Sequence, residues 1–196
     1  MKYLSFDIEA TGLKEFDYII EFAMVPFDAA TNTLEDNLAR SYYIKCPPYN
    51  ELESKLDPWV IEHNKELIIK ANSEGLPMGS FKKELQAYLE SSQVRDYFST
   101  NQCKIILFGK SMNSIDLPFL NRDLGFDFMR RYFHHQVLDL SSVAIGLIDL
   151  NMIPKECSSG SDLMKYFKMG DVEHTALADA KNTAIMYLNL IDKFKM

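Results

Sequence analysis

The sequence predicts an α/β fold, a mixed sheet flanked by helices, on three observations. Three β-prone runs fall within the first 45 positions and are separated only by short turn segments. A continuous apolar run, CKIILFG at residues 103–109, has the length of a strand and reads as one covered on both faces. The chain then closes on its clearest helical pattern, residues 175–193, where Leu177, Ala180, Ala184, Leu188 and Ile191 recur at spacings of three and four. Strands first, then strand alternating with helices, is the order of a single mixed sheet.

Taken in order, residues 2–9, 18–28 and 39–45 are predicted strands, and the short connections between them suit an antiparallel meander. Residues 46–58, CPPYNELESKLDP, form a connector whose prolines forbid regular pairing. Asp57-Pro58 then reads as a helix start, with Asp as the N-cap and Pro in the first turn. A helix over 80–92 is carried by Phe81, Leu85, Tyr88 and Leu89. After the buried strand a helix is expected over 114–123, and Asp139 is placed to cap a further apolar helix. Residues 153–162, IPKECSSGSD, read as loop. Trp59 is expected to pack its helix against the sheet, with base stacking as the alternative, and His63 to be a polar helix residue. RRYFHH, residues 130–135, mixes cations and aromatics as single-strand binders do, and is equally a solvated turn beside a core aromatic.

Composition narrows the functional classes. At 196 residues the chain is expected to form a single domain over 1–196 with a substantial core. It has no run of about 18 uncharged apolar residues, and its start leads straight into a strand without the apolar core of a secretory signal, so a soluble, cytoplasmic protein that does not enter the membrane is expected. Cys46, Cys103 and Cys157 are odd in number and lack paired metal spacing, which argues against a disulfide framework or a zinc site. A net charge of −7 argues against broad capture of nucleic acid, which needs clustered Lys and Arg. It leaves open an enzyme that grips a few nucleotides at one end, because divalent cations neutralise acidic ligands and phosphate together.

The stretch LSFDIEATGL, residues 4–13, places two carboxylates in a run that otherwise reads as a buried strand. Side chains alternate along a strand, so Asp7 and Glu9 share a face with Tyr3 and Ser5, while Leu4, Phe6 and Ile8 share the other. Two acids so close beside an apolar core raise each other's pKa unless something positive sits between them. Asp116, in GKSMNSIDLPFL, and His174 and Asp179, in VEHTALADA, bring further titratable groups to helix starts. Taken alone, an Asp in a first turn is ordinarily a dipole or capping residue. His174 and Asp179 are five apart, about 140° around a helix axis, so His174 is expected on the preceding loop. Four carboxylates and one His, without cysteine, suit Mg²⁺ or Mn²⁺ better than zinc.

FDIEATGL, the Asp116 segment ending DLPFL, and HTALADA stand in the order and at roughly the spacing found in the DEDDh, or DnaQ-like, 3′-to-5′ exonucleases, and over nearly the whole chain the sequence resembles that group. The resemblance implies a ribonuclease H-like fold with a mixed five-stranded sheet flanked by helices. It implies that Asp7, Glu9, Asp116 and Asp179 hold two Mg²⁺ or Mn²⁺ ions and that His174 is the general base. It implies that Ala10, Thr11 and Leu13 line the pocket of the terminal nucleotide, Leu13 as an apolar wedge. Ser111 stands where many relatives carry Asn, which puts a supporting hydrogen bond in doubt and leaves the Asp116 ligand intact. Relatives often carry an Asp near Asp139, giving that residue a possible supporting role.

The implied function is release of nucleoside 5′-monophosphates from 3′ ends of DNA or RNA, expected to be single-stranded. Two rivals stand beside it: an inactive interaction module of the same fold within a larger nucleic-acid-processing complex, and an endonuclease of the broader ribonuclease H-like class. Mutually repelling acids disfavour the first, and the His spacing of HTALADA disfavours the second. The chain lacks an extended tail beyond the last helix, which favours a stand-alone enzyme over a tail-tethered proofreading subunit.

Overall fold

The computed structural model describes residues 1–101, 104–170 and 175–195. In chain order the strands are β1 (Lys2–Ala10), β2 (Ile19–Asp28), β3 (Thr33–Leu34), β4 (Arg40–Tyr43), β5 (Leu107–Gly109) and β6 (Leu138–Asp139). The helices are α1 (Tyr49–Leu52), α2 (Pro58–Glu74), α3 (Met78–Glu90), α4 (Ser92–Tyr97), α5 (Asp116–Leu124), α6 (Phe126–Tyr132), α7 (Leu140–Asp149), α8 (Gly160–Tyr166) and α9 (Ala176–Phe194). β1 pairs antiparallel with β2 and parallel with β5, and β5 pairs parallel with β6, giving the predicted mixed sheet. Six strands fill five positions across it, because β3 and β4 both pair with β2, at opposite ends of that strand.

Strand alternation divides the interior into two layers. Leu4, Phe6 and Ile8 join Phe22, Met24, Phe81, Leu85, Phe119 and Leu120 on one face. Tyr3 joins Phe27, Phe108, Leu140 and Leu188 on the other. Each such side chain, fully buried, contributes roughly 1.5–3 kcal/mol. On that second face lies α9, capped by Thr175, whose side chain accepts from the Ala178 amide. Ala176, Ala180 and Ala184 are fully buried at four-residue spacing, so the helix backbone rests close to the sheet. The closeness is measured by the Ser5 hydroxyl, which donates to the Ala180 carbonyl at 2.7 Å. A leucine at Ala180 would lift the helix and break that bond.

The predicted helix start holds: the Asp57 carboxylate accepts from the Trp59 amide and Pro58 opens α2. Several expectations need correction. Trp59 does not pack against the sheet; it is 58% exposed and stacks on His63 at 4.3 Å. The buried face of α2 is instead Val60, Asn64, Ile68 and Ala71. The connector over 46–58 contains α1 and a 3-10 turn, and the loop over 153–162 contains a 3-10 turn and the start of α8. In α9 the buried stripe keeps Ala180, Ala184 and Leu188 and shifts from Leu177 and Ile191 to Ala176, Thr183, Met186 and Leu190. In RRYFHH, Phe133 is the core aromatic and bridges Ile105, while the arginines close α6. Cys46 and Cys157 are buried free thiols, and Cys103 lies outside the described residues. Among the described residues, no helix is long and apolar enough to cross a membrane.

Candidate metal centre

The acids of β1 meet those of two helices at one end of the sheet. Asp7 and Glu9 lie on the α9 side of β1, two and four residues beyond Ser5, whose bond to Ala180 fixes α9 over them. Asp179 stands in the first turn of α9, next to that bond. Ligand oxygens of Asp7, Glu9 and Asp179 all lie within 4.8 Å of one another. Asp116 opens α5 and is 8% exposed; it stands outside that group but close enough to act on Asp7. His174 lies outside the described residues, and α9 begins at Ala176, two positions later.

The electrostatics are those of an uncompensated negative site. Burial pushes the Asp7 carboxyl well above the usual carboxylate range, and Asp116, Glu9 and Asp179 push it further. Burial and then Asp179 raise Glu9 to about 7, against a hydrogen bond from Asn64. Asp116 is raised to about 6 by burial, although its own amide and that of Ile8 favour the charged form. The nearby cation is Lys110, just past β5, which lowers Asp7 and Asp116 but is outweighed. Three clustered carboxylate oxygens, those of Asp7 and Glu9 desolvated and raised in pKa, are a good fit to a hard divalent cation, which would replace the missing positive charge.

Around the acids stand residues that sequence reasoning did not single out or left undecided. Asn64, on α2, donates to Glu9 Oε2 at 3.3 Å and to the Ala10 carbonyl at 3.4 Å. Asp139 accepts from the Ser142 amide at 3.2 Å, the predicted cap, and from the Met112 amide at 3.0 Å. This second bond holds the turn leading to Asp116. Ser111 itself has a φ of 56° and its hydroxyl lies 2.8 Å from that of Ser141. Glu21, buried on β2, pairs in register with Glu9. A lone acid amid the apolar residues of IIEFAMV was the signal available for it.

Beyond β1 the chain turns through a braced loop. The strand ends in a register shift between Glu9 and Ala10, and Ala10 packs partly against the core. Thr11 is buried, and both its amide and its hydroxyl bond Tyr18, at 2.9 Å each, closing the base of the loop. Gly12 leaves room for the Asp17 carboxylate, which accepts from the Lys14 amide at 2.7 Å. Arg122, on α5, donates to the Glu15 carbonyl. The loop holds Leu13 and Phe16 out at 73% and 71% exposure.

A mixed sheet with helices on both faces thus gathers, at the end of its first strand, carboxylates able to hold a metal ion. The sequence profile of the exonuclease family RNase_T matches residues 4–187, and the chain belongs to that DnaQ-like, DEDD-type family. No curated protein matches the sequence itself. Among solved structures, cell-death related nuclease 4 (CRN-4) is similar with a TM-score of 0.70 at 16% identity, over 98% of this chain and 64% of that one. A full-length 3′-exonuclease is similar with a TM-score of 0.58 at 17% identity, over 97% of this chain and 81% of that one. Exonuclease I of E. coli, solved with an oligonucleotide, is similar with a TM-score of 0.60 at 18% identity, over 94% of this chain and 39% of that one. The chain thus spans about two fifths to four fifths of the length of these structures.

Proposed function

We propose that this protein is a divalent-metal-dependent 3′-to-5′ exonuclease that removes nucleoside 5′-monophosphates from the ends of single-stranded DNA or RNA. The observation that carries the reading is the convergence of Asp7, Glu9 and Asp179 oxygens within 4.8 Å. The polarity is supported by neighbours described as a 3′-exonuclease. A solved neighbour, Pop2p of S. pombe, is described in an Mg²⁺- and Mn²⁺-bound form, which supports the choice of cation. The domain is proposed to be the whole of residues 1–196, acting in the cytoplasm.

In this reading Asp7, Glu9 and Asp179 hold Mg²⁺ or Mn²⁺, two ions with the help of Asp116. When bound, the cations lower the pKa of water and neutralise the phosphate. His174 accepts the proton of the attacking water; its ordinary pKa of about 6.5 suits that role near neutral pH. Water adds to the terminal phosphorus as the bond to the 3′-oxygen breaks, and that oxygen takes a proton from solvent, leaving a nucleoside 5′-monophosphate and a new 3′-hydroxyl. Ala10 and Thr11 shape the terminal-nucleotide pocket, and exposed Leu13 wedges against a base. The charges of Asp7 and Glu9 also restrict the site to substrates that arrive with cations, in keeping with the net charge of −7.

The test uses short RNA and DNA labelled at either end, and a circular single strand, with Mg²⁺, Mn²⁺ or chelator. Stepwise shortening from the 3′ end is expected, with turnover lost in chelator and reduced at least about a thousandfold in Asp7→Asn. Cutting of the circle, or an Asp7→Asn variant as active as the parent, overturns the proposal.

A further inference from the structure

Glu21 is an acid in an expensive position. It sits in a strand whose neighbours are apolar, is 2% exposed, and faces Glu9 across the β1–β2 ladder. A buried carboxylate is tolerated only when donors replace its water. Here the two oxygens are divided between two elements: Oε1 accepts from the Ser41 hydroxyl of β4 at 2.8 Å, and Oε2 accepts from the Ala176 amide at 3.2 Å. Ala176 is the first residue of α9, where helix amides lack partners within the helix and the dipole favours an anion.

The bond has a counterpart one turn further on. The Ser5 hydroxyl holds the Ala180 carbonyl from β1 at 2.7 Å, while Glu21 holds the Ala176 amide from β2. The two pins are four residues apart on one helix face and tie α9 to two different strands. Asp179 lies between them in the chain. Rotation or sliding of α9 that would carry Asp179 away from Asp7 and Glu9 has to break at least one of these bonds.

We infer that Glu21 is a positioning residue: by holding the first turn of α9 to β2, it sets where Asp179 stands relative to the two acids of β1. The inference rests on the proposed role of Asp179 as a cation ligand. An apolar residue at position 21 would fill the space more cheaply and leave the helix start unheld. Glutamine retains an acceptor for the Ala176 amide and turns its NH₂ towards Ser41, whose hydroxyl then accepts. Aspartate keeps the charge but is one methylene short of spanning both partners.

The full-length protein and its Glu21→Ala, Glu21→Gln and Glu21→Asp variants are compared by amide hydrogen exchange without metal and by calorimetric titration with Mn²⁺ at pH 8. Glu21→Ala and Glu21→Asp are expected to speed exchange at Ala176 at least tenfold, leave the β1–β2 amides unchanged, and weaken Mn²⁺ binding about tenfold. Glu21→Gln is expected to stay within threefold of the parent in both. Unchanged exchange at Ala176, or parental Mn²⁺ affinity in a variant whose exchange is faster, overturns the inference. So does a Glu21→Gln variant as impaired as Glu21→Ala, since charge rather than position would then be at work. If Glu21→Ala does not fold, Glu21→Asp carries the same criteria. Failure of the parent to bind Mn²⁺ refutes the metal-centre reading instead, and exchange at Ala176 still decides whether Glu21 holds the helix.

Discussion

The two ends of β1 handle charge in opposite ways. At its beginning, Lys2 donates to the Tyr97 carbonyl at 2.8 Å and lies over the Tyr97 ring at 4.4 Å, while the N-terminal ammonium pairs with Asp28 at 3.4 Å. Burial acts to raise Asp28, but the Ala30 amide and the ammonium hold its carboxyl below the ordinary range. At the other end burial pushes Asp7, Glu9 and Asp116 upward, neighbouring carboxylates push the same way, and Lys110, which acts on Asp7 and Asp116, is too weak to offset them. One end is neutralised from within the chain. The other is left waiting for charge from outside, at a cost in stability that the rest of the fold has to cover.

That contrast can be broken most forcefully with pH. An acid whose folded pKa is raised contributes stability below its unfolded value and loses it as pH rises through the folded value. Glu9, moving from 4.5 to about 7, sets the window. The metal-free protein is therefore expected to lose stability between pH 5 and 8, by up to roughly 3 kcal/mol for such an acid. Mn²⁺ should restore it at pH 8 and do little at pH 5, where the acids proposed to bind it hold protons. Thermal melts in chelator and in Mn²⁺ would show this; melting points that do not change with pH would remove the contrast.

A smaller effect is expected from Asp139→Ala, which deletes the bonds to Ser142 and Met112. A loss of about 1–3 kcal/mol is anticipated from the cap and the orphaned amide, with slower turnover because the turn before Asp116 is released. A denaturant titration paired with kinetics measures both. Least of all, Lys2→Met at the neutralised end should cost about 1 kcal/mol or less and leave turnover unchanged. A large kinetic effect there would show that the two ends are coupled.

Much of this architecture was legible because long elements repeat their pattern. Residues 2–9, 18–28 and 175–193 carry enough turns or alternations for packing to dictate one reading, and each lies within two residues of an observed element. α4, α6 and α8, with six or seven residues each, and the two-residue strands β3 and β6 are too short to show a period. Trp59 misled because its size argues for burial, whereas the face of α2 is set by Val60, Ile68 and Ala71. At the site, Asp7 and Glu9 could be read as charges out of place. Glu21 carried the same signal, a lone acid amid apolar residues, but its partners did not, and Asn64 and Lys110 could not be assigned, because these contacts come from cross-strand register and from helices that meet only after folding.

The braced loop over 11–18 bears on how the molecules behave toward one another. Leu13 and Phe16 are held in water and cannot fold back onto the surface without breaking the ties to Tyr18, Asp17 and Arg122. With a formal charge of −7, neighbouring copies repel before these greasy tips can touch. Concentrated salt, which shortens that repulsion to about 3 Å at 1 M, would make this promontory the place where copies first adhere.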